Sequence, residues 1–202
     1  MDRNAHYEEL KELAREKREH HRVQTAAFGL REIRKIYKAE EIDLHLYPLR
    51  PKIKAIYMCD DGYCSVAVQR KLPDEPKLFA LVHELKHHYV DQEIVAEGGM
   101  YCGDYNQNEV IEIGAEVFAA EFIYPEEEFA ADIALRGLNL WTPEDVVHLK
   151  RDCKAKVSYM YLQKRLERLN LIERGAFAKV KFKNLEEQLY GVPFYKRRHA
   201  AR

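Results

Sequence analysis

The run Phe79-Ala80-Leu81-Val82-His83-Glu84-Leu85-Lys86-His87-His88-Tyr89-Val90 constrains this chain more than any other stretch. Phe79, Leu81, Val82, Leu85, Tyr89 and Val90 make it an apolar helix, so the two histidines of His-Glu-x-x-His would be buried polar groups in need of a partner. On a helix His83 and His87 leave the same face one turn apart, close enough to share one small metal ion. Zn²⁺ suits the pair. It accepts neutral imidazole nitrogens and carboxylate oxygens, and a catalytic zinc takes three protein ligands while leaving a fourth position for water. Glu84 would stand beside that water as general base, the arrangement needed to hydrolyse a peptide bond. The competing reading is a pair of core histidines satisfied by backbone carbonyls.

A three-ligand site needs one more donor, and residues 108–125 offer it on a helix stopped by Pro125. Ala115, Phe118, Ala119 and Phe122 suit packing against another helix, which would set this face beside the His83 helix. Glu112 and Glu116 lie one turn apart there. A carboxylate buried on such a face needs a reason. Glu112 as third metal ligand supplies one, and Glu116 would accept a hydrogen bond from a ligand histidine and fix its orientation. The alternative is that Glu109, Glu112, Glu116 and Glu121 form a solvated face.

His83-Glu84-Leu85-Lys86-His87, followed downstream by Glu112-Ile113-Gly114-Ala115-Glu116-Val117-Phe118-Ala119-Ala120-Glu121-Phe122-Ile123-Tyr124-Pro125, resembles the ImmA/IrrE family of zinc peptidases. That family has a gluzincin-like His-Glu-x-x-His helix and a later Glu in a segment ending Phe-Ala-x-x-Leu-Leu-x-Pro. The resemblance implies His83, His87 and Glu112 as ligands of one zinc and Glu84 as catalytic base. Lys86 stands where many members carry Gly, and Glu116 where many carry Asn or Asp. The likeness extends over about residues 28–175. It implies a protein substrate, in the family typically a helix-turn-helix transcriptional repressor of stress, phage or mobile-element genes.

The remaining chain supplies the frame. At 202 residues with 47% apolar and 33% charged residues it is long enough for one well-buried core. A net charge of −1 predicts no general affinity for nucleic acid or membrane. No apolar run approaches the roughly 18 residues that span a bilayer, and the first residues lack the apolar core of a signal peptide, so the cytoplasm is expected. Cys59, Cys64, Cys102 and Cys153 are too scattered for a disulfide framework, which predicts reduced thiols, although Cys59 and Cys64 flank a hairpin turn and would face each other.

Residues 3–28 read as a charged helix with a thin apolar stripe of Leu10, Leu13 and Val23, and 29–40 as a second helix. Alternation at Ile42, Leu44 and Leu46, at Ile53, Ala55 and Tyr57, and in Ser65–Gln69 predicts short strands, with Asp61-Gly62 as a turn. Residues 97–108 read as a polar loop. Thr142-Pro143 looks like a capped helix start, and with the helix of 157–172 it resembles a helix-turn-helix.

These readings give an α+β, zincin-like fold: a short antiparallel sheet packed on helices that carry the metal site, with a helix-turn-helix-like C-terminal segment. The domains expected are a charged N-terminal helix (1–28), a peptidase domain (29–141), the helix-turn-helix-like segment (142–175) and a basic tail (176–202). Direct nucleic-acid contact is not the expectation; if made, it would run through 142–202. The rival is a non-catalytic DNA-binding or scaffold regulator on the same fold. A structural metal site, however, needs ligands and no base, and Glu84 occupies the base position.

Overall fold

Asp61 and Gly62 both take positive φ, 46° and 79°, the backbone of a two-residue hairpin turn whose twist matches its flanking strands. The turn joins β2 (Ala55–Asp60) to β3 (Tyr63–Gln69), which pair antiparallel. β1 (Asp43–Tyr47) lies on the other side of β3, giving the order β1-β3-β2. β1 and β3 run parallel, with Asp43 opposite Ser65 and Tyr47 opposite Gln69, so the sheet is mixed and the expected all-antiparallel sheet is corrected. The reason is topological. β1 and β2 do run in opposite directions, as strands joined by a short link do, but β3 inserts between them and meets β1 head with head.

The same hairpin corrects the cysteine reading. Cys59 and Cys64 are directly opposed across β2 and β3, with Cα atoms 4.1 Å apart, and form a disulfide.

This computed structural model describes residues 3–98 and 105–191; Cys102 and part of the polar loop expected at 97–108 fall outside them. By its internal contacts the chain divides into two units, Met1–Phe129 with Lys154–Lys156, and Ala130–Cys153 with Val157–Arg202.

The first unit contains the sheet and α1 (Arg3–His20), α2 (Leu30–Ala39), α3 (Asp74–Val90), α4 (Gln92–Gly98) and α5 (Tyr105–Ile123). α3 is the centre. It packs against α5, α2, β2 and β3, and every residue from Ala80 to His87 is buried. Such a helix must be covered on all sides, which matches its lack of a polar face. The Tyr37 hydroxyl of α2 donates to the Leu81 carbonyl of α3 at 2.7 Å. α5 in turn lies against α1. Gly114 permits that approach, because a Cβ there would come within 2.8 Å of Leu10 Cδ1.

α1 is therefore more than a solvated helix with a narrow edge. Leu10, Lys11, Ala14 and Arg18 are buried. Arg18 donates to the Phe122 carbonyl and, at 3.2 Å, to Glu128 Oε1, while Glu128 Oε2 accepts from the Ala26 amide at 3.0 Å. α6 (Glu126–Ala134) begins here, with Phe129 buried edge-on against Tyr124.

In the second unit α7 (Pro143–Asp152) starts at a reciprocal cap, where the Thr142 hydroxyl accepts from the Asp145 amide and Asp145 accepts from the Thr142 amide. α8 (Tyr159–Arg168) is capped by Ser158. α9 (Phe182–Tyr190) falls in what the sequence presented as a basic tail. It packs on α7, and Phe182 stacks on Tyr159 with ring centroids 4.8 Å apart. The fold is α+β.

Replacing Arg18 by Met keeps most of its bulk but leaves the Phe122 carbonyl and Glu128 without their cation. Urea unfolding of Arg18→Met is expected to show a loss of about 1–3 kcal/mol. Unchanged stability would show that α1 docks through its apolar residues alone.

Candidate metal centre

α3 presents His83 and His87 on one face, and α5 crosses it to present Glu112 to both. Their ligand atoms all lie within 4.8 Å of one another. His83 Nε2 is 3.4 Å from Glu112 Oε2, and His87 Nε2 is 3.7 Å from Glu112 Oε1. The imidazole rings meet edge to face with centroids 5.0 Å apart. Donor atoms about 2.0–2.2 Å from a tetrahedral ion stand about 3.3–3.6 Å from one another, and the observed spacings are close to that.

Burial separates the two readings of the histidines. His83, His87 and Glu112 are 4%, 2% and 1% exposed. Among the described residues neither His83 Nε2 nor His87 Nε2 has a hydrogen-bond partner. A buried polar atom left so costs about 1–3 kcal/mol, and nearly all such atoms in folded proteins are satisfied. Histidines serving as core residues would have found carbonyls. These two instead face one carboxylate across gaps too long for a direct hydrogen bond and suited to a shared cation. The donor set, two imidazoles and a carboxylate, fits Zn²⁺.

His87 is held from behind. Asp91 caps α3, its amide donating to the His87 carbonyl at 2.9 Å. Its Oδ2 lies 2.7 Å from His87 Nδ1 and 2.7 Å from Lys86 Nζ. Burial by itself would raise the pKa of Asp91, but the His87 hydrogen bond and the Lys86 ammonium outweigh it and the net shift is downward. Asp91 is thus ionised, and accepting from Nδ1–H leaves the lone pair of His87 on Nε2, toward Glu112. Burial lowers the pKa of Lys86 against the pull of Asp91 and Glu112. Lys86 also reaches the Ile111 carbonyl at 3.4 Å, beside Glu112.

The structure brings together His83, His87 and Glu112 as the sequence suggested, and buries Glu84, next to His83, to 1% exposure. Glu116 lies one turn beyond Glu112 on α5 and is half-buried. The hydrogen bond expected from Glu116 to a ligand histidine is, for His87, made by Asp91. Sequence reasoning missed Asp91 and the role of Lys86. The signal was available, since Asp91 follows His87 by one helical turn, but the apolar pattern ends at Val90 and drew attention away from it.

Asp91→Asn is expected to reduce zinc affinity about 10–100-fold, the range for carboxylates that orient a ligand histidine. Competition with a chromogenic chelator at neutral pH measures it, and unchanged affinity would remove Asp91 from the site.

The family model described as Peptidase M78, IrrE N-terminal-like domain, matches residues 38–167. These include every residue of the centre. No curated protein matches the chain. Among the described residues no helix is long and apolar enough to cross a membrane.

Proposed function

Because this chain belongs to the Peptidase M78 family of metallopeptidases, we propose that it is a zinc-dependent endopeptidase of zincin-like fold, with His83, His87 and Glu112 holding one Zn²⁺ and Glu84 as general base. The observation that carries the reading is the pair of buried imidazole nitrogens that face Glu112 and, among the described residues, have no hydrogen-bond partner.

When bound, the zinc would supply a Lewis acid that polarises a peptide carbonyl and acidifies water. The protein's own groups do the rest. Asp91 fixes the tautomer and plane of His87, and Lys86 keeps Asp91 ionised in a buried setting. Glu84 takes a proton from water as it adds to the peptide carbon, and returns that proton to the departing nitrogen so that an amine rather than an amide anion leaves. The protein around α3 and α5 limits water at the ligands, which strengthens each charge interaction there.

The substrate we propose is a protein that offers an extended segment. β1 and β2 are the edges of the sheet, and an edge strand can hold such a segment by backbone hydrogen bonds whatever its sequence. A helix-turn-helix repressor in the cytoplasm is the substrate that the family resemblance supports.

Glu84→Gln should keep fold and zinc while cleavage of a helix-turn-helix repressor that the unaltered protein cuts falls about 10²–10⁴-fold. Intact-mass analysis of the digest reads the result. Cleavage at the unaltered rate would show that another group moves the proton.

A further inference from the structure

The geometry points to a second divalent-metal site, built from His20, His21 and Glu40 with His88 on the far side of the carboxylate. It is independent of the peptidase reading and uses none of the three ligands at the α3–α5 contact.

His20 ends α1 and His21 follows it, with their rings edge to face at 4.8 Å. Glu40 caps the end of α2, its amide donating to the Ile36 carbonyl. Ligand atoms of these three residues lie within 4.8 Å of one another. Glu40 Oε1 is 2.8 Å from His21 Nε2 and accepts from the Tyr89 hydroxyl at 3.0 Å. Its other oxygen, Oε2, faces His88 Nε2 at 3.7 Å, beyond hydrogen-bond reach and close to the separation found between His87 and Glu112. His88 is held through its other nitrogen, 3.1 Å from the Tyr57 hydroxyl, which leaves Nε2 toward Glu40.

Charge makes the stronger case. Among the described residues no lysine or arginine lies within salt-bridge distance of Glu40, whose ion-pair partners there are His21 and His88 alone. Lys17, the near cation, sits over the Tyr89 ring at 4.6 Å. A half-buried carboxylate flanked by imidazoles is the donor set of a zinc-class ion. A bound ion would replace the His21–Glu40 hydrogen bond by two metal bonds and tie the ends of α1, α2 and α3 together. A cavity of about 460 Å³ lined in part by His21, Thr25 and Ala39 lies alongside and gives an ion a way in.

The test is native mass spectrometry of the full chain titrated with zinc at neutral pH. Unaltered protein is expected to bind two equivalents. Glu40→Gln, which can still accept from Tyr89, should bind one, as should the His83→Asn/His87→Asn double variant; the three changes together should bind none. His20→Gln, at an exposed position, cannot disturb the core and should weaken the second equivalent while leaving the first. A single equivalent in unaltered protein that survives Glu40→Gln and is lost with His83→Asn/His87→Asn, or a second one indifferent to both Glu40→Gln and His20→Gln, overturns the site. Failure of the peptidase centre would look different: the lone zinc would survive His83→Asn/His87→Asn and vanish with Glu40→Gln.

Discussion

Two imidazole nitrogens buried against one carboxylate at the contact of α3 and α5 set the terms for the structure around them. Each buried nitrogen without a partner costs about 1–3 kcal/mol, a substantial part of the 5–15 kcal/mol by which a domain is usually stable. A cation between the three groups removes that cost, and binding to the folded chain alone adds stability as free metal rises above its dissociation constant. The metal-free protein should therefore be the weaker one, and its weakest place should be where α3 meets α5.

The neighbours of this contact make sense as its supports. α3 is covered on every side by α2, α5, β2 and β3, so His83 and His87 cannot turn to water. α5 is fixed from behind by α1 at Gly114 and through Arg18. Lys86, the departure from the glycine common in the resembling family, is a buried ammonium whose partner Asp91 also holds His87. Removing Lys86 would leave a buried carboxylate without its counter-charge, which is usually worse than never having had the pair.

How much of this was legible in the sequence depends on how local the cause is. The meeting of His83, His87 and Glu112 could be read because helical spacing and apolar flanks state where they lie. The Asp61-Gly62 turn and the opposition of Cys59 to Cys64 followed from turn chemistry, but the disulfide itself did not follow from composition. The place of β1 was not legible: its pairing with β3 depends on a strand that comes later inserting between β1 and β2. Asp91 was missed because it sits at the cap, just past the periodic stretch. α9 was hidden by the lysines around it, though Phe182 buries itself against Tyr159. The cluster at Glu40 draws on three separate helix ends, and no spacing rule joins residues 20, 40 and 88.

The most direct measurement of the central claim is the zinc K-edge X-ray absorption spectrum of Glu40→Gln protein loaded with one equivalent of zinc. If His83, His87 and Glu112 hold the ion, the first shell contains only nitrogen and oxygen at about 2.0–2.2 Å, with the multiple scattering of two imidazoles. A sulfur shell near about 2.3 Å, or a spectrum with no imidazole contribution, would contradict it.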